Sequence, residues 1–290
     1  MTAQRMAWHW IGALFGIILA FPILVFAETS GEKPVIGLQL YSLRNQMAKD
    51  VPGTLKLAKQ MGFTDVEGGA PSGMTSEQFR KLLDDNGLKA SGTGAAYPQF
   101  LTQMDQVIAN AKALGAQQVM CAWIPHKGKF TAADAHIAAA NFNKFGAALK
   151  NAGLRFAYHA HGYEFAPGPD GVMPFDILAA ETDPAFVTFE LDVFWAFHGG
   201  QDPAKLMQKY PTRFEALHLK DMKPGTPVRL TTGQAPKDSD VTIGTGLLDF
   251  PAIMKEARTI GVKHYYIEDE SSISVEQIPQ SLKYLNALSQ

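Results

Sequence analysis

Residues 132–164 read AADAHIAAANFNKFGAALKNAGLRFAYHAHGYE. The segment 132–151 is typical of a helix that packs on a core, because small and apolar side chains recur through it between polar ones. Gly153 then interrupts the pattern, and glycine tolerates the left-handed conformation that commonly ends a helix. The apolar run 154–159 that follows is typical of a buried strand. The stretch therefore predicts a helix, its cap and a strand, which together form one repeat of a parallel sheet with helices.

The same repeat recurs through the rest of the chain. A glycine also separates a predicted helix from a predicted strand at Gly62, Gly87, Gly115 and Gly261. The predicted strands cover residues 35–41, 63–67, 88–94, 117–122, 154–159, 187–192, 216–220 and 264–268. Predicted helices include residues 51–61, 76–86, 105–114, 132–151 and 251–260. Eight repeats predict a closed (β/α)8 TIM barrel of the α/β class, as a single domain over residues 33–290.

An open, doubly wound sheet is the main alternative to a barrel. The dinucleotide-binding form of that sheet carries Gly-x-Gly-x-x-Gly after its first strand, and no such sequence follows residues 35–41. Residues 222–240 are rich in Pro, Gly, Thr and Lys. This composition predicts a long loop over the barrel mouth rather than a domain boundary.

Composition excludes several classes of partner. The 290 residues are 46% hydrophobic and 19% charged, which suffices for a large core, and the formal net charge is -2. This balance gives no bulk attraction to nucleic acid or to anionic lipid. Cys121 is the only cysteine, so no disulfide can form within the chain. We therefore expect no nucleic-acid partner and a fold that depends on its core, while a monomer and a homo-oligomer both stay open.

The first residues are typical of a signal peptide. Arg5 precedes an apolar stretch over residues 10–26, and Val25 and Ala27 suit the -3 and -1 positions of a signal peptidase site. We expect a signal peptide over residues 1–27 and a mature chain that is periplasmic or otherwise exported, without membrane contact after cleavage. An uncleaved N-terminal anchor is the alternative.

Polar residues gather where the predicted strands end. In a (β/α)8 barrel the active site lies at the carboxyl ends of the strands. The polar residues there are Glu67, His159, His161, Glu164, Glu190, Asp192, His218, Lys220, Asp221, Glu268, Asp269 and Glu270. Side chains two residues apart on a strand share a face, so Glu190 with Asp192, and His218 with Lys220, can converge on the barrel interior. Such a mixture of imidazoles and carboxylates suits one divalent ion such as Mn²⁺, Zn²⁺, Co²⁺ or Mg²⁺.

Several short motifs, in their order along the chain, resemble a known family. They are IGLQLYSLR (36–44), GFTDVE (62–67), YHAHGYEF (158–165), ELDVFW (190–195), HLKDM (218–222), GTGLLDF (244–250) and YIE (266–268). In this order they are similar to the sugar phosphate isomerase/epimerase superfamily, the xylose isomerase-like TIM barrels. The resemblance covers essentially all of the mature chain.

The resemblance implies a single divalent metal ion held by ligands from strands five to eight. The residues that match the last three ligands of the family are Asp192, His218 and Glu268. Many relatives carry a glutamate at the end of strand five, where this chain has His159, with His161 and Glu164 close behind. His159 is therefore the expected fourth ligand, and His161 and Glu164 stay open as alternatives.

Residues for acid–base chemistry and for substrate binding are expected in the same region. The expected catalytic residues are Glu268, Lys220, Glu67 and Glu164. The expected substrate contacts are His161, Trp195 and Tyr41. The His-x-His-x-x-Glu-Phe form of strand five is similar to members thought to act on oxidised sugars, such as 3-keto-glycosides and inosose-type rings. The chain departs from the family at Thr245, where a glutamate is frequent, and at Gly94, where a histidine is frequent.

Together these features predict a metal-dependent enzyme with a small-molecule sugar substrate. The expected reaction is of the isomerase/epimerase or lyase/dehydratase type, through an enediolate of a non-phosphorylated sugar, keto-sugar or glycoside. Export disfavours phosphorylated sugars, which are mainly cytoplasmic. The alternative is a non-catalytic periplasmic sugar-binding protein, which would not need the metal ligands. An abasic-site endonuclease has the same fold, but it requires a basic groove for DNA that the net charge of -2 does not favour.

Overall fold

A computed structural model describes residues 33–288 of the chain. Within this range no helix has the length and apolar character required to cross a membrane. The predicted signal peptide, residues 1–27, lies outside the described residues and stays a prediction. Residues 33–288 contain a closed barrel of eight parallel strands surrounded by helices, as the sequence predicts.

The barrel closes because the first and last strands pair. Its strands are β1 Ile36–Gln39, β2 Asp65–Glu67, β3 Lys89–Gly94, β4 Gln118–Cys121, β5 Arg155–His159, β6 Val187–Asp192, β7 Phe214–Leu219 and β10 His264–Ile267. Each strand pairs with the next in chain order, and β1 pairs in parallel with β10, where Leu38 lies opposite Ile267. All eight strands overlap the ranges predicted from the sequence. The largest differences at the start of a strand are two residues, at β2, which begins at Asp65 rather than at residue 63, and at β7, which begins at Phe214 rather than at residue 216.

Helices follow the strands on the outside. They are α1 Arg44–Met47, α2 Val51–Gln60, α3 Ser76–Asp85, α4 Tyr97–Thr102, α5 Met104–Leu114, α6 Ala132–Asn151, α7 Pro174–Glu181, α8 Val193–His198, α9 Pro203–Lys209, α10 Phe250–Ile260 and α11 Ser274–Leu288. Short 3-10 helices cover Leu40–Leu43 and Tyr163–Phe165. The five predicted helices are all present. The glycine caps are also confirmed, since Gly115 ends α5 with φ 81° and Gly261 ends α10 with φ 77°.

Alternation along the strands separates an apolar outer face from a polar inner one. Phe156 and Tyr158 of β5 point outward, and both rings pack on Phe142 of α6 at centroid distances of 5.0 and 4.8 Å. His159, one residue further, therefore points into the barrel, where it is buried. The interior at the carboxyl ends of the strands is consequently built from charged side chains, although the core around it is apolar.

The segment after β7 forms the long loop that its composition predicts. Two short antiparallel strands, β8 Asp221–Met222 and β9 Asp240–Val241, bring its ends together. Between them the loop reaches the other side of the barrel mouth, where a Cβ at Gly233 would lie 3.0 Å from the Trp123 ring and 3.2 Å from the Tyr163 ring. The loop backbone therefore rests directly on residues that follow β4 and β5.

Candidate metal centre and active site

Seven ionisable side chains meet inside the carboxyl end of the barrel. This histidine–carboxylate cluster consists of Glu67, His159, Glu190, Asp192, His218, Lys220 and Glu268. All seven residues are buried, with exposed fractions between 0% and 8%. Burying so much charge is costly unless each group is paired or binds an ion. The cluster is therefore the part of the described chain where chemistry is to be sought first.

His218 lies at the centre of this cluster. Its Nδ1 lies 3.0 Å from Glu268 Oε2, and its Nε2 lies 2.7 Å from Glu67 Oε2. The same Nε2 lies 3.0 Å from Glu190 Oε1. The Gln39 side-chain amide donates to Glu67 Oε2 over 2.7 Å and fixes that carboxylate from the β1 side. One imidazole thus connects carboxylates that come from three different strands or strand ends.

Room for Glu67 inside the barrel depends on a glycine in the neighbouring strand. A Cβ at Gly92 would lie 2.6 Å from Glu67 Oε1 and 3.1 Å from Tyr266 Oη. Real Cβ atoms do not approach so closely, so a side chain at this position would displace the carboxylate. Gly92 therefore allows Glu67 to reach His218.

His159 and Lys220 complete the cluster from β5 and from the end of β7. His159 Nδ1 lies 3.0 Å from Glu190 Oε1, and its Nε2 lies 3.7 Å from Asp192 Oδ2. Lys220 Nζ lies 3.0 Å from Glu268 Oε2 and 3.5 Å from Asp192 Oδ2. Asp192 and Glu268 are therefore each approached by a basic side chain and still face the barrel interior.

The donor set fits a divalent metal ion. Asp192, His218 and Glu268 each offer a ligand atom, and these three atoms lie within 4.8 Å of one another. His159, Glu190 and His218 form a second triad that meets the same criterion. Within residues 33–288, Asp192 Oδ2 is buried and has no hydrogen-bond donor. Mixed imidazole and carboxylate ligands at such spacing suit Zn²⁺, Mn²⁺ or Co²⁺, and carboxylates also suit Mg²⁺.

Burial and mutual interactions raise the pKa values of Glu67, His218 and Lys220, each through a different balance of causes. Burial and the neighbouring Glu190 raise the pKa of Glu67 to about 8, against the opposing effect of His218. Burial disfavours the charged form of His218, but Glu190 and Glu268 outweigh it and raise its pKa well above the usual value. The same balance raises the pKa of Lys220 well above its usual value, because Glu268 and Asp192 outweigh burial. The lysine is therefore a cation that faces three carboxylates, because its Nζ also donates a hydrogen bond to Glu270 Oε1.

Two predicted substrate contacts lie immediately outside the cluster. The His161 ring is 4.6 Å from the His159 ring and 5.7 Å from the Trp195 ring, measured between centroids. His161 Nδ1 and Trp195 Nε1 are buried and have no hydrogen-bond partner in the part of the chain that the structure describes. Two polar atoms next to the cluster are thus available to a ligand.

Other predicted site residues do not reach the cluster. Glu164 is buried on the outer side of β5, where its Oε1 accepts hydrogen bonds from Tyr158 Oη and from the His161 backbone N–H, the latter at 3.2 Å. It therefore holds the loop that carries His161 rather than lining the interior. Tyr41 is 53% exposed at the rim, and the Arg44 guanidinium lies 4.6 Å from its ring centroid.

Glu190 is the main residue of the cluster that the sequence did not single out for a role. It accepts from the side-chain amide of Gln118 over 3.2 Å and lies within 3.0 Å of both His159 and His218. The spacing of Glu190 and Asp192 on one strand is the signal that placed both on the inner face. Which of the two approaches an imidazole depends on contacts between strands, which the spacing does not give.

Comparisons with known proteins agree with this architecture. Residues 55–288 match the family model described as xylose isomerase-like TIM barrel. A sugar phosphate isomerase/epimerase from Parabacteroides distasonis ATCC 8503 has a TM-score of 0.75 and 29% identity, and the alignment covers 91% of this chain and 97% of that one. A structure of the IolI protein with a bound zinc atom has a TM-score of 0.69 at 14% identity, covering 89% and 98%, and supports the fold alone.

Among curated sequences, an inosose dehydratase of Clostridium botulinum (strain Alaska E43 / Type E3) is 22% identical over 202 residues. The match covers 69% of this chain and 64% of that relative. A second inosose dehydratase, from Geobacillus kaustophilus (strain HTA426), is 32% identical over 71 residues, which cover 24% of this chain and 22% of that relative.

Proposed function

Because the chain belongs to the xylose isomerase-like TIM barrel family, we propose that it is a divalent-metal-dependent enzyme with a sugar-like substrate. The substrate class is a non-phosphorylated sugar, keto-sugar or glycoside. The observation that carries the proposal is the triad Asp192, His218 and Glu268, whose ligand atoms lie within 4.8 Å of one another inside the barrel. A non-catalytic sugar-binding protein does not require a buried set of this kind, so the set favours an enzyme.

Four residues are proposed as metal ligands. Asp192, His218 and Glu268 form the triad, and His159 is the fourth, since its Nε2 lies 3.7 Å from Asp192 Oδ2. Glu190 faces the other nitrogen of His159 at 3.0 Å. A carboxylate in that position fixes the tautomer and the orientation of a ligating imidazole. Glu190 is therefore proposed as the residue that positions His159.

The chemistry follows from the groups around the ligands. A bound divalent ion would hold vicinal substrate oxygens and acidify the carbon next to a carbonyl. Glu67 is suited to take the proton from that carbon, because its Oε1 is buried without a hydrogen-bond partner in the described chain while Oε2 is held by Gln39 and His218. The electron pair of the broken C–H bond then forms an enediolate. Lys220 is suited to stabilise the negative oxygen, since it is a buried cation beside Glu268.

The fate of the enediolate decides the type of reaction. If the proton returns to another face or another carbon, the product is an epimer or an isomer. If a substituent on the next carbon leaves with the electron pair and a proton, the product is an unsaturated ketone together with water or an alcohol. The names of the relatives support both types, because dehydratases and isomerase/epimerases occur among them.

Proton exchange tests the proposal whichever of these products is formed. The purified protein is loaded in turn with Zn²⁺, Mn²⁺, Co²⁺ and Mg²⁺ and incubated in D₂O with inososes and 3-keto-glucosides. We expect metal-dependent incorporation of deuterium next to the carbonyl, detected by NMR, and its loss after treatment with a chelator. Binding of these compounds without exchange for any metal would contradict the enzyme proposal and favour a binding protein.

Export is proposed from the N-terminal pattern alone. Arg5 and the apolar stretch over residues 10–26 support a signal peptide that ends at Ala27. The expected result is a mature chain in the periplasmic fraction that begins at or near Glu28 by N-terminal sequencing. Recovery of the full-length chain from the cytosol would contradict export, and an intact chain in the membrane fraction would favour an anchor.

A further inference from the structure

Trp123 presents a fixed aromatic surface at the barrel mouth. Its side chain is 42% exposed, although neighbouring rings hold it in place. The indole stacks on the His126 ring at a centroid distance of 5.3 Å and an angle of 24°, and it contacts the Tyr163 ring edge-to-face at 4.7 Å. The Ile124 backbone N–H donates to Tyr163 Oη over 2.9 Å, which ties the loop of Trp123 to that ring. The indole is thus held by its neighbours and stays partly exposed, although the loop backbone at Gly233 rests on its six-membered ring.

A row of rings leads from the cluster to this surface. The His218 and His159 centroids are 4.5 Å apart, and those of His159 and His161 are 4.6 Å apart. The His161 and Trp123 centroids are 5.8 Å apart. The indole therefore lies only two ring contacts away from His159. This is close enough for a second ring of a ligand to reach the indole when its first ring is held at the cluster.

A cavity of about 430 Å³ opens beside Trp123, between the ends of β3 and β4. Gly94, Met120, Ala122 and Pro125 line it together with the indole, and none of its lining residues is charged. Cavities of several hundred Å³ are large enough to bind small molecules. An uncharged wall gives no partner to a phosphate or a carboxylate, so the cavity is suited to an uncharged ring.

The cavity is open on the β3 side because residue 94 is a glycine. Gly92 and Gly94 share the inner face of β3, and Gly92 already borders Glu67. A Cβ at Gly94 would lie 3.6 Å from the Met120 carbonyl oxygen and 3.7 Å from Met120 Cε, which are ordinary van der Waals distances. A side chain at position 94 is therefore sterically possible and would occupy the cavity.

We propose that this Trp123 cavity binds the second ring of the substrate, so that the enzyme acts on a glycoside whose uncharged aglycone stacks on Trp123. The inference rests on the proposed function, because it places the reacting sugar at the cluster. The apolar C–H face of a sugar ring and the face of an aryl ring both pack well on an indole. A second sugar and an aryl group are both uncharged rings in glycosidic linkage. The test below distinguishes between them.

Binding to the metal-loaded protein is measured by calorimetry for three ligands, the methyl, phenyl and glucosyl 3-keto-glucosides. We expect the two-ring ligands to bind about tenfold more tightly than the methyl glycoside, a gain typical of an aromatic contact. Trp123→Ala should remove that advantage and leave the affinity for the methyl glycoside unchanged. Gly94→Leu should do the same by filling the cavity from the opposite wall.

Tyr41→Ala is the matched control, because Tyr41 is an exposed aromatic residue at the rim that lines a different cavity. It should keep the preference for two rings. An advantage for phenyl alone identifies an aryl aglycone, and an advantage for glucosyl alone identifies a disaccharide. A preference that survives both Trp123→Ala and Gly94→Leu, or that Tyr41→Ala removes, would overturn the proposal. Binding does not depend on turnover, so a failure of proton exchange is recognised separately.

Discussion

Lys220 Nζ lies 3.0 Å from Glu268 Oε2 at a place where the lysine is 1% exposed and the glutamate 8%. Each ion of such a buried pair has lost its hydration, and the opposite charge of its partner offsets that loss. Asp192 Oδ2 lies 3.5 Å from the same ammonium and is also stabilised by its positive charge. The lysine thus helps to lower the pKa of Glu268, and it opposes the rise that burial causes in the pKa of Asp192.

Replacing Lys220 by Met should therefore affect stability and catalysis differently. In protein treated with a chelator, removal of one partner of the buried pair should lower the free energy of unfolding by about 3 to 5 kcal/mol. A bound divalent ion supplies positive charge to Glu268 and Asp192, so the loss should be smaller in metal-loaded protein. Turnover of the loaded enzyme should fall by about 100-fold or more, since the group that stabilises the negative oxygen is gone.

Urea unfolding with and without metal, together with kinetics, measures these effects. Lys263→Met is the matched control, because Lys263 pairs with Glu215 at 2.8 Å with its own side chain 62% exposed. This exposed pair should contribute no more than about 1 kcal/mol. Equal loss of stability with and without metal in Lys220→Met would contradict the role assigned to the lysine.

The triad makes a direct prediction about metal content. Asp192→Asn, His218→Ala and Glu268→Gln should each lower bound metal and activity together, because loss of a ligand is the single cause of both. Elemental analysis of dialysed protein and deuterium exchange are measured on the same preparation. Asp84→Asn, at an exposed helix position, should change neither. Full occupancy in all three triad variants would exclude this metal site.

The barrel and most of the cluster could be predicted because both depend on local pattern. Strand alternation places Asp192, His218 and Glu268 on the inner face, and the family resemblance assigns them as ligands. The role of Glu190 could not be read in this way. The register of β6 against β7 shifts between Phe189 and Glu190, and this irregularity brings Glu190 opposite Ala216. Such a shift depends on how two strands pack and leaves no mark in the spacing.

Some helices were not assigned bounds from the sequence for a related reason. The helices that were given bounds do not include the segments 97–102, 174–181, 193–198, 203–209 and 274–288, which are all helical. The helix Val193–His198 is rich in aromatic residues. The helix Ser274–Leu288 contains a proline, Pro279, in its interior. These compositions do not favour a helix in isolation. Burial of one face against the barrel stabilises them instead.

The buried Asp240 carboxyl should make the stability of the protein depend on pH. Burial raises its pKa to about 7, against the opposing effect of Lys220. The ordinary aspartate value is about 3.9, so between the two values the folded protein holds a proton that the unfolded chain has lost. The contribution of this group to stability is therefore full below about pH 4 and falls as the pH rises to about 7.

Asp240→Asn stays neutral and should remove this decrease. The variant should be more stable than the parent above about pH 7, and the difference should shrink toward about pH 4. Unfolding by urea at several pH values across that range provides the measurement. Asp84→Asn again serves as the exposed control and should show no comparable change. A difference between Asp240→Asn and the parent that grows toward low pH would contradict the sign.

The strand-five ligand is the assignment that most affects the mechanism. His159 lies between Glu190 and Asp192, with 3.0 Å to the first and 3.7 Å to the second. Glu164 lies behind the strand, where it accepts from Tyr158 Oη and from the His161 backbone N–H. Of these two residues, His159 is therefore the one in a position to share a metal with Asp192.

Two substitutions separate the roles of these residues. His159→Ala should weaken metal affinity by more than about 100-fold, because it removes a proposed ligand and one of the partners of the buried Glu190 carboxylate. Glu164→Gln keeps the shape of the side chain, so bound metal should remain while KM rises, since the loop that carries His161 loses a charged acceptor. Metal titration and kinetics on both variants give the answer. If His159→Ala retained its metal and Glu164→Gln lost it, the strand-five ligand would be Glu164, and a glutamate would again be available on that strand for the proton exchange of an epimerase.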